Sequence, residues 1–242
     1  ATARSSYFHS GSFEQIIGYL NVLGGTCATV SNAFNNPPVV NGGADYVIPR
    51  NTPFLLTASG SDVDNDPLTY SWEQIDAGGS NFWNPPYTDA GDSALTTRPI
   101  FRPFDPGANS MVRIFPTLSG ILNGQNLAPF ENLPNVNRFL NYRVTVRDGR
   151  GGVANDTVQL QVDSSAGPFA ITSPNSGVIL AGGSLQTVTW NVSGTGAGTA
   201  VNCASVNILI STDGGQTFST LLGNTPNDGT QQVTIPNIAT ST

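Results

Sequence analysis

The sequence predicts a mainly β fold, in which two tandem β-sandwiches follow one short N-terminal helix. Short runs rich in Val, Thr, Ile and aromatic residues recur along most of the chain, and Gly, Asn, Asp and Pro separate them. Gly and Pro are abundant, at 27 and 17 of 242 residues. Strands at this spacing are typical of β-sandwiches, and the length leaves room for one or two domains with a hydrophobic core.

The predicted helix spans residues 12–23. Ser12 is a residue type that caps helices, and Gln15 stands where a capping box places Glu or Gln. Gly24 and Gly25 end the segment. Because a helix of about 11 residues is unstable alone in water, we expect its apolar residues to lie on another part of the protein. These residues are Ile16, Ile17, Tyr19 and Leu20.

Ten strands are predicted after the helix, and they divide the chain into domains. Residues 1–35 hold the helix and a linker, and residues 36–163 form the first sandwich. Residues 168–242 form a second sandwich, which is short for its type, and we expect its last strand or strands to lie beyond residue 242 or to have been lost. The predicted strands are 46–48, 53–58, 68–75, 140–147, 153–162, 168–172, 185–192, 205–211, 217–222 and 230–235.

Residues 76–138 interrupt the regular spacing of the strands as a long insertion. They are rich in Pro, Asn and Gly, and they carry many aromatic residues. Since so many aromatic residues argue against disorder, we expect most of them to pack on the first sandwich. Trp83 and Tyr87 lie among turn residues, and they are the candidates for a patch that recognises a protein or a cell-surface polymer.

The charge pattern excludes several classes of partner. The formal net charge is −7, and all nine cationic residues are Arg. An acidic chain does not favour phosphate backbones or anionic lipid, so nucleic acids and membrane surfaces are poor partners. No stretch approaches the roughly 20 apolar residues that a membrane-spanning helix needs. We expect a monomer.

The residue sets of common catalytic centres are missing from the sequence. His9 is the single histidine, and no GxSxG motif is present. Nothing in the pattern brings two of the three glutamates together. The chain is therefore predicted not to be an enzyme by itself. Cys27 and Cys203 are too few for a disulfide framework or a zinc knuckle, and whether they pair with each other is left open.

Residues 211–218, STDGGQTF, match the Asp-box pattern SxDxGxT(W/F). We expect a hairpin turn in which Asp213 binds backbone N–H groups and Phe218 is tucked beneath. The motif occurs in sialidases, which hold a substrate carboxylate with Arg, yet no Arg or Lys follows residue 150. The box is therefore predicted to be structural. Trp72 and Trp190 lie in strand patterns and are predicted to be core residues.

Three stretches together resemble the C-terminal part of secreted bacterial reprolysin-like zinc peptidases of the metzincin clan. YFHSGSFEQIIGYLNVLGGTCA (7–28) is similar to the end of the catalytic domain, with its last helix, Gly-rich turn and Cys. NNPPVVNGGADYVIPRNTPFLLTASGSDVDNDPLTYSWEQID (35–76) is similar to the PKD and cadherin-like immunoglobulin-type modules that follow that domain. FAITSPNSG, TVTWNVSGT and VNCASVNILISTDGGQTF, within 169–218, resemble the next module.

The resemblance implies a non-catalytic accessory region that positions a secreted peptidase on protein substrates or a cell surface. The zinc motif HExxHxxGxxH is absent, so zinc is expected only in a catalytic domain outside this chain. Family members often carry Cys where this chain has Ser71. The alternative is an adhesin-type or structural surface module with no enzymatic parent.

The stretch SGSDVDNDPLTYSW (59–72) concentrates three aspartates on alternate positions, Asp62, Asp64 and Asp66. Asp148 follows a second strong strand. By resemblance to calcium-binding PKD modules, Asn36, Asp62, Asp64 and Asp148 are candidate calcium ligands, with Asp66 as a further one, and the ion would stiffen an interdomain junction. The alternative is that these aspartates hydrogen-bond their own backbone as Asx-turns.

Overall fold

The computed structural model describes residues 7–24, 34–76, 98–122, 131–174 and 177–237. The predicted recognition residues Trp83 and Tyr87 lie outside these ranges. The fold is mainly β, as predicted, and it comprises two immunoglobulin-like β-sandwiches behind an N-terminal helix. Within the described ranges, no helix combines the length and the apolar character needed to cross a membrane.

The helix α1 spans Ser10–Tyr19 and continues as a π-helical turn over Leu20–Gly24. The predicted start at Ser12 is therefore wrong by two residues. A short helix α2, Leu118–Leu122, and a 3₁₀ turn, Ala108–Met111, lie within the first sandwich.

The first sandwich contains eight strands in its described part. They are β1 (Val39–Asn41), β2 (Tyr46–Pro49), β3 (Phe54–Thr57), β4 (Ser59–Ser61), β5 (Thr69–Gln74), β6 (Val112–Phe115), β7 (Arg138–Arg147) and β8 (Val153–Asp163). One sheet has the order β2-β8-β7-β5, with β2 parallel to β8 and the other pairs antiparallel. The pairs β3–β6 and β1–β4 complete the module. This order corresponds to the CFG sheet of an immunoglobulin fold, where β5, β7 and β8 are strands C, F and G.

Alternating apolar residues build the core of this sandwich. Strand β7 turns Leu140, Tyr142, Val144 and Val146 inward, and all four are fully buried. Trp72 on β5 is also buried, which confirms its predicted place in the core. Removing apolar surface from water on this scale is what stabilises a sandwich whose strands are only 3–11 residues long.

Part of the predicted insertion belongs to the sandwich itself. Strand β6 lies within residues 76–138 and pairs with β3 from Phe54↔Phe115 to Thr57↔Val112. In the core, Phe115 stacks on Phe54 at a ring-centroid distance of 5.0 Å, and Phe101 meets Phe54 edge-to-face at 5.6 Å. The expectation that aromatic residues of this segment pack on the sandwich is thus confirmed for Phe101 and Phe115.

The second sandwich contains five strands in its described part. They are β9 (Ala170–Ser173), β10 (Leu185–Asn191), β11 (Ser205–Ile210), β12 (Ser219–Pro226) and β13 (Thr230–Thr234). One sheet has the order β13-β10-β9, and β11 pairs with β12 in the other. The core is small and consists of Val188, Trp190, Val233 and Ile235.

Backbone hydrogen bonds join the two sandwiches. The Gly167 N–H donates to the Ser193 carbonyl at 2.7 Å, and the Arg50 N–H donates to the Ala166 carbonyl at 3.0 Å. The Phe169 N–H donates to Thr52 Oγ1 at 2.9 Å. The connecting segment is therefore held on both sides by polar groups of the modules that it links.

Candidate cation site and helix anchor

The three alternating aspartates lie together in the loop between β4 and β5. One carboxylate oxygen from each of Asp62, Asp64 and Asp66 lies within 4.8 Å of the others. Asn65, between the last two, has a φ of 60° in the left-handed region, which lets the loop turn back. The turn gathers side chains that alternate along the sequence.

Asp62 organises this loop through one of its two oxygens. Its Oδ1 accepts hydrogen bonds from the Asp64 N–H at 2.8 Å and from the Asp66 N–H at 3.3 Å. These are the Asx-type contacts of the alternative interpretation. Its Oδ2 is buried and has no hydrogen-bond partner in the described part of the chain.

The other two aspartates have polar partners from neighbouring segments. Asp64 accepts from the Asn36 backbone N–H at 2.7 Å and from Asn36 Nδ2 at 3.1 Å. Asp66 pairs with Arg150 Nε at 2.6 Å. The loop is thereby tied to the segment that precedes β1 and to the turn between β7 and β8.

Asp148 belongs to the turn between β7 and β8, not to the group of three. Its Oδ1 accepts from the N–H groups of Arg150 and Gly152 at 2.7 and 2.9 Å, and its Oδ2 accepts from Asn35 Nδ2 at 2.7 Å. Burial raises the pKa of Asp148, but these hydrogen bonds outweigh it and hold the pKa below its usual value. Adjacent asparagines, Asn35 and Asn36, connect Asp148 to Asp64.

The donor set of the loop fits a hard cation. Three carboxylates this close repel one another, and oxygen ligands of this kind are those that calcium prefers. The unpartnered Oδ2 of Asp62 offers a free acceptor. Arg150 already supplies one positive charge to Asp66, so an incoming cation would compete with its guanidinium. Of the residues predicted as ligands, Asp62, Asp64 and Asp66 lie together, and Asn36 donates hydrogen bonds to Asp64. Asp148 lies outside this group and accepts a hydrogen bond from Asn35, the neighbour of Asn36.

The position of the loop indicates which junction a cation there would stiffen. Strand β8 starts at Val153 beside the Asp148 turn and ends at Asp163 beside the junction with the second sandwich. Its 11 residues span about 36 Å at the usual rise of a strand. A cation at the aspartate loop would therefore fasten the N-terminal segment to the first sandwich, and it would not hold the two sandwiches in line.

A second polar cluster anchors helix α1 to the first sandwich. The buried carboxylate of Glu73 on β5 accepts from the Ser10 N–H at 2.7 Å and contacts His9 Nδ1 at 2.5 Å. The residue before the helix, His9, makes no side-chain capping bond of its own. Because Glu73 satisfies a free N–H and places negative charge at the positive end of the helix, α1 begins at Ser10.

Two arginines extend this anchor along the sandwich. Arg147 donates to the Phe8 carbonyl at 3.0 Å, and its guanidinium lies 5.4 and 5.6 Å from the ring centres of Tyr7 and Phe13. Arg143 pairs with Glu14 at 2.6 Å. A cavity of about 690 Å³ lies between the helix and the sandwich, with His9, Glu14 and Glu73 in its wall.

The apolar residues of α1 are not covered as the sequence suggested. Ile16, Ile17 and Leu20 are 43–49% exposed, and Tyr19 is 62% exposed. Polar groups at the start of α1 hold the helix on the first sandwich. The contact between helix and sandwich therefore does not depend on the apolar residues of α1. In the described part of the chain, these side chains remain open to solvent.

The Asp box is a closed structural turn. Asp213 accepts from the Thr217 N–H and hydroxyl and from the Ser211 hydroxyl, at 2.9, 2.6 and 2.8 Å. The predicted backbone contact is thus confirmed, whereas the predicted burial of Phe218 is wrong, since that ring is 47% exposed. Both carboxylate oxygens of Asp213 accept hydrogen bonds within the turn.

Sequence reasoning missed Glu73 and its arginine neighbours. Glu73 stands in the run YSWEQ, where five consecutive residues from Tyr70 to Gln74 are buried, and a glutamate inside a buried strand signals a polar partner. Nothing in the sequence indicates which partner it meets. Cys203 carries a free thiol, while Cys27 lies outside the described ranges.

Comparison with known proteins gives no family. No protein-family model matches the chain. No curated protein matches it either. Among solved structures, a chimeric titin Z1Z2 functionalised with a KLER peptide from decorin is 14% identical, with coverage of 65% of this chain and 64% of that one and a TM-score of 0.27.

The Bacteroides ovatus mixed-linkage glucan utilisation locus protein SGBP-B, in complex with a mixed-linkage heptasaccharide, is 9% identical. The match covers 84% of this chain with a TM-score of 0.23, and it spans only 41% of that protein. At these TM-scores, neither structure carries an argument about the chain.

Proposed function

We propose that residues 1–242 are a non-catalytic accessory region of a secreted bacterial zinc metallopeptidase. The two sandwiches position the enzyme on protein substrates or on a cell surface. Zinc belongs to the peptidase domain and has no ligand set in this sequence. The helix α1 connects that domain to the first sandwich.

The observation that carries this proposal is the way in which α1 is held. Glu73 and Arg147 fix its first turn to the sandwich, whereas Ile16, Ile17 and Leu20 are 43–49% exposed. A helix with this exposed apolar surface is suited to packing against another folded unit. The sequence resemblance puts the last helix of a peptidase domain at this position, which supports the same assignment.

A second candidate function is an adhesin-type surface module with no enzymatic parent. The hydrogen-bonded junction at Gly167 favours this second function, because such a junction suits a rod of repeated sandwiches. The coding sequence upstream of Ala1 distinguishes the peptidase accessory region from the adhesin-type module. A segment encoding HExxHxxGxxH supports the peptidase, and further sandwich repeats in its place would overturn that proposal.

Calcium is the cation that we assign to the aspartate loop. Titration of the chain with calcium chloride should give a dissociation constant of about 0.1–1 mM, as in other extracellular modules. With a constant of about 1 mM, 10 mM calcium adds about 1.4 kcal/mol to the free energy of unfolding. Calorimetry and thermal unfolding measure the two effects.

Three variants make the calcium test specific. Asp64→Asn should abolish binding, and Asp228→Asn, which removes the same charge from the second sandwich, should leave it unchanged. Arg150→Ala should strengthen binding, because it frees Asp66 from its guanidinium partner. A wild-type titration without heat and without a rise in melting temperature would refute the assignment.

A further inference from the structure

A leucine of the first sandwich lies against a glycine of the second. Helix α2 ends at Leu122, and Gly215 belongs to the Asp box between β11 and β12. A Cβ added at Gly215 would collide with Leu122 Cδ1 and would lie 3.5 and 3.6 Å from Cγ and Cδ2 of the same side chain. Gly215 is buried, although Gly214 and Gln216 on either side of it are exposed. The Leu122 side chain therefore occupies a space that only a glycine at position 215 leaves open.

Buried polar groups of the first sandwich hold helix α2 at this contact. The Thr117 N–H, just before the helix, donates to Glu131 Oε2 at 2.8 Å. Glu131 is fully buried, and its Oε1 pairs with Arg113 Nη2 at 3.0 Å. Arg113 also donates to the Trp72 carbonyl at 2.9 Å. Because breaking a buried ion pair leaves an uncompensated charge, this network fixes the start of the helix that carries Leu122.

Hydrogen bonds of the Asp box fix the other side of the contact. The Gly215 N–H donates to Ser211 Oγ at 2.7 Å, and the Ser211 hydroxyl donates to Asp213 at 2.8 Å. Gly215 has a φ of 87°, which glycine adopts without strain. The turn thus presents a Cα without a side chain to Leu122. Since both surfaces are already shaped by their own domains, closing the contact requires little further ordering.

The contact between α2 and the Asp box is made by other residues than the connection at Gly167. The hydrogen bonds at Gly167 and Phe169 join the sandwiches along one short stretch of chain. Motion of one domain relative to the other is the usual behaviour where the interface is small. A second contact between Leu122 and Gly215 restricts that motion.

From this geometry we infer that the Asp box is an interdomain latch, in which Gly215 receives Leu122 and holds the second sandwich at one orientation to the first. This role goes beyond the stability of the turn, because it depends on a residue of the other domain. With the latch closed, the second sandwich presents its surface in a fixed direction relative to α1. With the latch open, the second sandwich swings about the segment at Gly167. The latch does not depend on a peptidase parent.

The test measures a distance between the two sandwiches in the whole chain. Cys27 and Cys203 are replaced by Ser, and nitroxide labels are placed on Leu55→Cys in the first sandwich and Ile179→Cys in the second. Both labelled positions are exposed, with 52% and 96% of their surface open to solvent. Double electron–electron resonance should give a single narrow distance distribution. A broad distribution in this parent chain would overturn the latch.

Two adjacent glycines provide a variant and its matched control. Gly215→Ala puts a methyl group where Leu122 lies, and it should roughly double the width of the distance distribution. Gly214→Ala has a comparable φ of 70°, but nothing lies within 4 Å of its added Cβ, so the distribution should stay unchanged. Equal widening in the two variants would mean that backbone strain in the turn acts alone, and would overturn the proposal.

A double variant tests whether Leu122 and Gly215 act through the same contact. Leu122 is 53% exposed, so Leu122→Ala should leave the fold intact, with a melting temperature within a few degrees of the parent chain, and should widen the distribution by itself. Adding Gly215→Ala to Leu122→Ala should cause no further widening, because the colliding side chain is already gone. Additive widening by the two changes would contradict a shared contact.

Discussion

Asp213 accepts three hydrogen bonds within its own turn. The hydroxyl and N–H of Thr217 and the hydroxyl of Ser211 lower the pKa of Asp213 from 3.8 to about 2. The charged form is therefore favoured by folding. Its contribution to stability is fully present above pH 4 and is lost as the pH falls from about 4 to 2.

The Asp213→Asn variant should lose this part of the pH dependence. The difference in melting temperature between wild type and variant should be largest above pH 4 and should shrink as the pH falls to 2, because protonated Asp213 no longer accepts these bonds as an anion. A difference that is constant from pH 6 to pH 2 would contradict the assignment.

At the scale of elements, α1 illustrates why local sequence signals place a helix but not its first residue. Ser12 and Gln15 are good capping residues, yet the helix starts at Ser10 because Glu73, 63 residues away, supplies the acceptor. That partner follows from the packing of β5 against the helix. No short-range sequence pattern around residues 10–15 indicates that Glu73 is this acceptor.

Removing the acceptor should loosen the helix. Glu73→Ala leaves the Ser10 N–H and His9 without their partner and should lower the free energy of unfolding by about 1–3 kcal/mol. Glu73→Gln keeps an amide oxygen but loses the charge at the helix N-terminus, and should cost about 1 kcal/mol. Denaturant unfolding and hydrogen exchange at the α1 amides measure both effects.

The control for this prediction is Glu14→Gln, in which a largely exposed partner of Arg143 is neutralised. Exposed ion pairs contribute little, so this change should stay within about 1 kcal/mol. If Glu73→Ala proved no more destabilising than Glu14→Gln, the anchor described above would be wrong.

The strands were largely predictable because they are rich in Val, Thr, Ile and aromatic residues and are bounded by Gly, Asn, Asp and Pro. All ten predicted strands are present. The missed strands, β1, β4 and β6, stand beside Gly- and Pro-rich segments, whose composition is typical of turns. The aspartate loop was predicted from spacing, whereas the pairing of Asp66 with Arg150 depends on the turn between two other strands.

At the scale of the whole molecule, Gly167 holds the two sandwiches together. It has a φ of 96°, and a Cβ there would collide with the Arg50 carbonyl and lie 2.9 Å from the Pro49 side chain. Only glycine lets the connecting segment approach β2 so closely while its N–H reaches Ser193.

Gly167→Ala should therefore loosen the junction and cost about 2–4 kcal/mol, from backbone strain together with overpacking. Gly183→Ala is a matched control, since its φ is 77° but nothing lies within 4 Å of an added Cβ, and it should cost about 1 kcal/mol. Small-angle scattering should show a wider spread of domain orientations for Gly167→Ala alone. Identical profiles for the two variants would contradict the role of this glycine.

We propose that these sandwiches support and position an enzyme and perform no chemistry themselves. The most direct measurement is turnover of casein and of chromogenic glycosides by the purified chain, with calcium and zinc added. We expect no product above the buffer rate under any of these conditions. Cleavage that copurifies with the chain through successive columns would contradict it.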